Sequence, residues 1–249
     1  MPGPNSRSSG RGNLSQQVRS SVPRHLGVIV DGNRRWAREN GRAMEEGYKR
    51  GSEKLSEVLG WCEAVGIEII TLWVLSVANL EGRSAKELRA ASEVIEKSAL
   101  ALAAEDHWRV NVIGAMELLP EDLANTLKRV ERSTSENPGM LVNFAVAYGG
   151  RREILDAIRL LLRETDAKPS DLAEKLTEED FSKYLYTAGI PDPDLILRTS
   201  GEQRLSGFMP WQSVHAEAYF CDAHWPALTR GDFEQALNAY ATRVRTFGT

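Results

Sequence analysis

Short apolar segments alternate with longer amphipathic segments along most of this chain. Five apolar segments rich in β-branched residues predict strands at residues 26–30, 67–75, 109–113, 141–147 and 194–198. Five other segments have helical periodicity, at residues 45–65, 85–104, 120–135, 150–164 and 229–246. This alternation predicts a single α/β domain with a mostly parallel central sheet and helices on both faces.

Polar or glycine residues follow four of the predicted strands. They are Asp31, Ser76, Asn79, Tyr148, Gly149 and Arg198. In a parallel α/β sheet, ligands bind at the edge formed by the carboxyl ends of the strands. We therefore expect these residues to meet in one site.

Composition narrows the possible classes of protein. A chain of 249 residues with 42% hydrophobic content can bury a large core in one domain. The formal charge of -4 argues against a general nucleic-acid binder. No apolar run approaches the ~20 residues that cross a bilayer, so a cytoplasmic protein is predicted. Cys62 and Cys221 lack metal-ligand spacing and are predicted to be buried thiols in a reducing compartment.

The first 22 residues differ from the rest of the chain. They contain three arginines, many serines and glycines, and no acidic residue. Such a segment adds little to a core, and we predict a disordered tail before a domain at residues 23–249. Transit peptides share this composition, but Pro2, Gly3 and Pro4 disfavour an amphipathic helix there. Three arginines support at most a transient membrane contact.

The segment from Ile196 to Glu217 has a composition suited to binding phosphate. Arg198 and Arg204 are six residues apart, and small polar residues surround them, namely Thr199, Ser200, Gly201 and Ser206. Guanidinium groups donate paired hydrogen bonds, and glycine allows close approach of backbone N–H groups. The predicted ligand is a phosphate or a diphosphate. The alternative is an ordinary surface turn with solvated arginines.

The segment from His25 to Asn40 predicts a strand, a tight turn and the start of a helix. Such a turn binds anions, and nearby arginines add positive charge, namely Arg34, Arg35 and Arg38. Asp31 lies in the middle of this basic setting. An acidic residue among arginines makes sense if its carboxylate binds a Mg²⁺ ion that also binds phosphate oxygens. Asp31 is therefore the first candidate for a catalytic residue. Its alternative role is a helix N-cap.

Taken together, these motifs resemble those of the cis-prenyltransferase family, whose best-known member is undecaprenyl diphosphate synthase. The resemblance runs from about His25 to Gly248 and includes GYKRG at 47–51, the S-x-x-N at 76–79, YGGRREI at 148–154 and PDPDLILRTSGEQRLSGFMPWQ at 191–212. It implies a homodimeric, Mg²⁺-dependent enzyme that joins isopentenyl diphosphate to an allylic diphosphate such as dimethylallyl or geranyl diphosphate. It also implies a hydrophobic tunnel for the growing chain.

The resemblance assigns expected roles to individual residues. The allylic diphosphate site maps to residues 31–36, that is Asp31, Gly32, Asn33, Arg34, Arg35 and Trp36. The isopentenyl diphosphate site maps to Arg198, Arg204 and Ser206. Glu217 matches the family's second Mg²⁺-associated carboxylate, or else is a solvent-facing strand residue. Ser76, Asn79 and His215 are candidates for positioning or proton transfer.

Other residues suggest a short product. Apolar residues expected near the tunnel are Trp36, Leu72, Trp73, Val74, Leu75, Leu100, Leu102, Val142, Phe144 and Val146. Trp73 and Val74 are bulkier than the small residues that long-chain members tend to carry at the tunnel mouth. Tyr48 stands where those members have a histidine. These features resemble the Z-farnesyl diphosphate synthase branch and imply a product of about C10 to C15.

Several positions depart from the family pattern and leave the reaction open. Ala78 replaces a usual glutamate, Arg83 is shifted by one residue, Met209-Pro210 replaces a pair of leucines, and His215 replaces an aromatic residue. Since proline fixes φ, the second-substrate pocket is expected to be reshaped. A lavandulyl-type enzyme, which uses dimethylallyl diphosphate as acceptor, is therefore an alternative. A non-catalytic partner subunit is a further one, although the phosphate-site residues are retained.

Overall fold

A single parallel sheet of six strands organises the part of the chain that the computed structural model describes, residues 21–165 and 169–243. The strands are β1 (His25–Ile29), β2 (Ile69–Ser76), β3 (Arg109–Ile113), β4 (Leu141–Tyr148), β5 (Leu195–Arg198) and β6 (Glu217–Phe220). Their order across the sheet is β3, β4, β2, β1, β5, β6. The five predicted strands are confirmed. β6 was missed because its four residues are all only half-buried.

The helices between the strands agree with most of the predicted periodicity. They are α1 (Asn33–Glu39), α2 (Met44–Ala64), α3 (Val77–Gly82), α4 (Ala85–Ala104), α5 (Glu121–Thr134), α6 (Gly150–Glu164), α7 (Pro169–Lys175), α8 (Glu178–Ser182) and α9 (Arg230–Thr242). The last helix ends four residues before its predicted end, because Arg243 is extended. Residues 244–246 of that prediction lie outside the described residues. The short helices α3, α7 and α8 were not predicted.

The larger core lies on one face of the sheet, where α2, α4, α5 and α9 cover the strands. Alternate strand residues point into it, including Leu72 and Phe144. Cys62 and Cys221 are buried and free, which confirms the prediction of buried thiols. Val22 already packs against this core, whereas residues 1–20 of the predicted tail lie outside the described range.

A smaller cluster covers the opposite face. Trp73 and Tyr148 point to this side and pack with Phe208 and Met209 of the loop after β5. α6 and α8 pack against each other in a third cluster. Among the helices that the structure describes, none combines the length and apolarity required to span a bilayer.

A buried hydrogen-bonded chain crosses this second face. His25 Nδ1 lies 2.6 Å from the Pro191 carbonyl, so it carries the proton and donates. His25 Nε2 then accepts from Thr71 Oγ1 at 2.8 Å. Asn143 donates to Thr71 at 3.0 Å, and Asn111 donates to Asn143 at 2.8 Å. All the donors in this series of hydrogen bonds fit a neutral His25 imidazole. A charged imidazolium would place a second ring proton against the Thr71 hydroxyl proton.

We predict that His25 makes stability depend on pH. Burial lowers the pKa of His25 to about 4, although the Pro191 carbonyl and Asp194 oppose the shift. The unfolded chain binds this proton below about pH 6.5 and the folded chain does not until about pH 4. As the pH is lowered from about 6.5 to about 4, the unfolding free energy should therefore fall by about 1.4 kcal/mol for each pH unit. Urea titrations at several pH values should show that the unfolding free energy of His25→Gln lacks this dependence on pH. If the wild type and the variant lose unfolding free energy in parallel, the assignment to His25 is wrong.

Candidate active site

A cavity of about 960 Å³ opens at the carboxyl edge of the sheet. The ends of β1, β2, β4 and β5 contribute to one end of it, including Asp31, Ser76, Asn79, Tyr148 and Arg198. The predicted convergence of these residues is thus observed. The other end lies between α2 and α4 and is lined mainly by apolar residues, including Leu55, Ile95 and Phe144. The cavity therefore joins a charged end to an apolar end.

Asp31 occupies a rigid turn between β1 and α1. Its N–H donates to Thr199 Oγ1 at 3.0 Å, and its carbonyl accepts from the Trp225 N–H at 2.9 Å. Gly32 follows with a φ of 107°, and a Cβ there would lie 2.7 Å from His224 Nδ1. Both the backbone conformation and the space require glycine at this position.

The Asp31 carboxylate binds two arginines. Arg198 Nη2 lies 2.9 Å from Oδ2, and Arg35 Nη2 lies 3.1 Å from Oδ1. Burial raises the pKa of Asp31, but the hydrogen bonds and charges of Arg198 and Arg35 outweigh this effect and lower it overall. The N-cap of α1 is Gly32, without a side-chain hydrogen bond. Asp31 is therefore an ionised site residue and does not have the alternative capping role.

Arg198 is the most constrained cation of the site. Its side chain is only 5% exposed, and it donates to Ser206 Oγ at 2.8 Å and to the Arg204 carbonyl. Its Nε is buried without a partner. The Arg204 side chain, in contrast, is 60% exposed, pairs with Glu202 and does not line the cavity. The structure thus joins Arg198 and Ser206 to Asp31 but leaves the Arg204 side chain outside.

Unpaired polar atoms line the charged end of the cavity on the side of Asp31 away from Arg198. Asn33 Oδ1, Tyr48 OH and Arg83 Nε are buried and have no hydrogen-bond partner. The Arg83 guanidinium lies 5.8 Å from the centre of the Tyr48 ring, and Arg34 lines the same end. Buried polar atoms normally have partners, so this group is suited to a polar ligand. The sequence-based site omitted Arg83, although its shifted motif was a signal.

Ser76 and Asn79 lie together where β2 gives way to α3. Ser76 caps this helix, because its Oγ accepts from the Asn79 N–H at 3.0 Å. Both residues line the cavity, and Ala78 does so too. Glu81 comes three residues after Ala78 and also lines the cavity. α3 therefore supplies a carboxylate almost one turn from position 78, where the family pattern has a glutamate.

The structure does not bring Glu217 to Asp31. Glu217 begins β6 and is paired with Leu195 at the start of β5, whereas Asp31 follows the end of β1. Its carboxylate binds Arg243. Within residues 21–165 and 169–243, no three His, Cys, Asp or Glu side chains form a metal-binding group. A single carboxylate still fits Mg²⁺, which proteins commonly hold through one or two carboxylates and substrate phosphates.

Only some of the expected tunnel residues line the cavity. Trp73 and Val74 do so, and Trp73 stacks on Phe208 with ring centres 5.3 Å apart. Phe144 lines it as well. The others are in the core, partly exposed or outside the lining, namely Trp36, Leu72, Leu75, Leu100, Leu102, Val142 and Val146.

The expected cluster of departures around the second-substrate pocket is only partly formed. Ala78 and Arg83 line the cavity. Pro210 is outside the lining but lies against Gly150, where a Cβ would be 2.1 Å from the proline Cδ. His215 is exposed and lies outside the lining. Its expected position at the site is therefore not observed.

Comparison with known proteins identifies the family. A family model described as putative undecaprenyl diphosphate synthase matches residues 29–248. A (2Z,6E)-farnesyl diphosphate synthase of Thermobifida fusca is 53% identical over 230 residues, which cover 91% of this chain and 90% of that protein. The chain belongs to the cis-prenyltransferase family. Another cis-prenyltransferase, the (2Z,6E)-farnesyl diphosphate synthase of Mycobacterium tuberculosis, is 46% identical over 92% of this chain and 89% of that protein.

A solved structure shows the same cis-prenyltransferase fold. It is the lavandulyl diphosphate synthase of Lavandula x intermedia in complex with dimethylallyl diphosphate, with a TM-score of 0.85 and 32% sequence identity. The match covers 92% of this chain and 99% of that chain. The expected fold class, a parallel α/β domain with a hydrophobic cavity, is confirmed.

We predict that Arg83 contributes to anion binding. Arg83→Gln should weaken the binding of inorganic diphosphate about tenfold or more, because a hydrogen bond to a charged group contributes roughly 1.5–3 kcal/mol. Isothermal titration calorimetry in metal-free buffer measures this directly. Arg89→Gln changes an exposed arginine on α4 and serves as the matched control. Equal affinities for the two variants would make Arg83 a structural residue.

Proposed function

We propose that this chain is a Mg²⁺-dependent short-chain prenyl diphosphate synthase. It condenses dimethylallyl or geranyl diphosphate with isopentenyl diphosphate and releases diphosphate, giving a product of about C10 to C15. The observation that carries this proposal is the cavity, which joins the cationic end around Asp31 to an apolar end between α2 and α4. A molecule with a diphosphate head and a hydrocarbon tail fits both ends.

The group around Arg83 binds the allylic diphosphate. When the carbon–oxygen bond breaks, negative charge builds up on the leaving diphosphate and a delocalised carbocation forms. Positioned donors stabilise such charge most where water is excluded. Arg34, Arg35 and Arg83 are the cationic donors here, and the Tyr48 hydroxyl adds an uncharged one. The apolar end encloses the hydrocarbon and keeps water from the carbocation.

The acceptor diphosphate binds on the Arg198 side. Asp31 and Ser206 hold the Arg198 guanidinium in position at this side of the cavity. The backbone of Gly149 and Gly207 lines the same region. Ser76 and Asn79 face the cavity between the two groups and are the candidates for positioning the acceptor's double bond.

Asp31 is the proposed ligand of Mg²⁺, together with phosphate oxygens. The ion supplies charge neutralisation to the leaving diphosphate when it is bound. Arg35 and Arg198 must loosen their hold on the carboxylate to make room, and the incoming diphosphates offer both arginines new partners. A role for Glu217 in metal binding stays a prediction; Glu217 pairs with Leu195 at the start of β5, away from Asp31.

An assay with and without isopentenyl diphosphate tests the reaction. The purified protein with Mg²⁺ and dimethylallyl or geranyl diphosphate should give linear alcohols after dephosphorylation only when isopentenyl diphosphate is present. Mass spectrometry identifies them. Branched alcohols from allylic substrate alone would instead support a lavandulyl-type reaction, the alternative that rests on Ala78 and on the likeness to the solved relative. No product in any mixture would support a non-catalytic subunit.

Asp31→Asn serves as the catalytic test in the same assay. Turnover should fall about a hundredfold or more, because the metal loses its protein carboxylate. Asparagine keeps an oxygen that accepts from Arg198, so circular dichroism should show a retained fold. Asp122→Asn changes an exposed carboxylate on α5 and is the control. Near-normal turnover of the Asp31 variant would overturn the proposed role.

The proposal includes a homodimer in the cytoplasm. Three apolar side chains form an exposed stripe on α6, where Leu155, Ile158 and Leu162 are 51%, 39% and 58% exposed. Their spacing places them on one side of the helix. A second copy of this chain would bury the stripe by symmetry, with the same residues contributed by both subunits. Two unpaired buried cysteines support a reducing compartment.

We predict that Ile158→Glu disrupts this dimer. A charge at the centre of the buried stripe has no partner and strongly disfavours association. Light scattering after size exclusion should give twice 27.7 kDa for the wild type and 27.7 kDa for the variant. Leu100→Glu changes a similarly exposed leucine on α4 and should stay dimeric. A dimeric Ile158 variant would place the interface elsewhere.

A further inference from the structure

Two helices determine how deep the cavity reaches. Both α2 and α4 begin near the carboxyl edge of the sheet and run towards its amino edge, where β2 and β3 start. Their cavity-facing residues therefore lie deeper as the numbers rise. On α2 these residues are Tyr48, Gly51, Ser52 and Leu55, and on α4 they are Ala91, Val94, Ile95 and Ser98.

The lining ends at Leu55 on α2 and at Ser98 on α4. One turn beyond Leu55 and Ser98 come Leu59 and Leu102, which are 0% and 1% exposed and belong to the packed core. The eight residues from Tyr48 to Leu55 span about 10 Å along the helix. The apolar end of the cavity is therefore short and closes against the core.

A hydrogen bond joins the two helices near this closed end. Ser52 Oγ lies 2.7 Å from Ser98 Oγ. Ser98 Oγ also donates to the Val94 carbonyl at 2.7 Å, so its proton is used and Ser52 must be the donor between the two hydroxyls. We call this bond the serine bridge. It is a polar link in otherwise apolar surroundings.

We propose that the serine bridge limits the length of the product. This inference rests on the proposed function. The cavity closes against Leu59 and Leu102, so a longer hydrocarbon chain needs α2 and α4 to move apart at this end, which separates the two hydroxyls. Ser98 keeps its bond to Val94, but the Ser52 hydroxyl is then left without a partner against hydrocarbon, which is costly. Shorter chains leave the bridge intact. Ser52 and Ser98 are thus specificity-determining residues.

The product distributions of serine variants test the proposal. Ser52→Ala and Ser98→Ala each remove the bridge, so the ratio of products one isoprene unit longer to the main wild-type product should rise about tenfold, equivalent to about 1.4 kcal/mol. The double variant should match the single ones, because all three lack the same bond. Ser98→Thr keeps a hydroxyl and should retain the wild-type distribution. Ser56→Ala, on the exposed side of α2, is the control.

The outcomes separate this inference from the proposed function. If the wild type makes short products and both alanine variants make the same ones, the serine bridge does not set length and the proposed function still stands. If Ser56→Ala lengthens products as much, the effect is a general loosening of α2 and the inference is also overturned. If the wild type forms no prenyl product with any acceptor, both the function and the inference fall.

Discussion

The ion pair between Asp31 and Arg198 connects the two parts of the chain on which the site depends. One residue follows β1 and the other ends β5, and these strands are neighbours in the sheet although 166 residues separate them in sequence. The hydrogen bonds that the Thr199 hydroxyl and the Trp225 N–H make with the Asp31 backbone reinforce the same junction. The parallel order of the strands therefore places the two proposed diphosphate sites on either side of one carboxylate.

The sequence allowed the charged end of the site to be predicted, because its residues come from contiguous motifs at strand ends. Asp31, Arg35, Arg198 and Ser206 meet as expected. The motif did not show where Glu217 lies relative to Asp31, since its position depends on where β6 starts. A residue that begins a strand of a parallel sheet lies where the amino-terminal ends of the strands meet, opposite the carboxyl-terminal ends that form the site.

The apolar end could be predicted only in outline. Trp73 and Val74 were expected at the cavity and line it, whereas Leu72 and Val142 are hydrophobic and equally regular in pattern but belong to the core. Periodicity shows which side of a helix or strand is buried, and it does not show whether the neighbour is a side chain or a space. The contact of Ser52 with Ser98 depends on how α2 lies against α4, for which the sequence has no local signal.

The arrangement of charges around Asp31 has a consequence for turnover. Arg198 is bound to Asp31, and Arg35 to both Asp31 and Glu202, before any anion arrives. In the proposed reaction, substrate binding exchanges ionic partners, and part of the attraction between diphosphate and arginine is offset by the breaking of existing pairs. The same carboxylates would then bind the guanidinium groups again when the product diphosphate leaves. A site built in this way loses some affinity but avoids being trapped by its own strongly charged by-product.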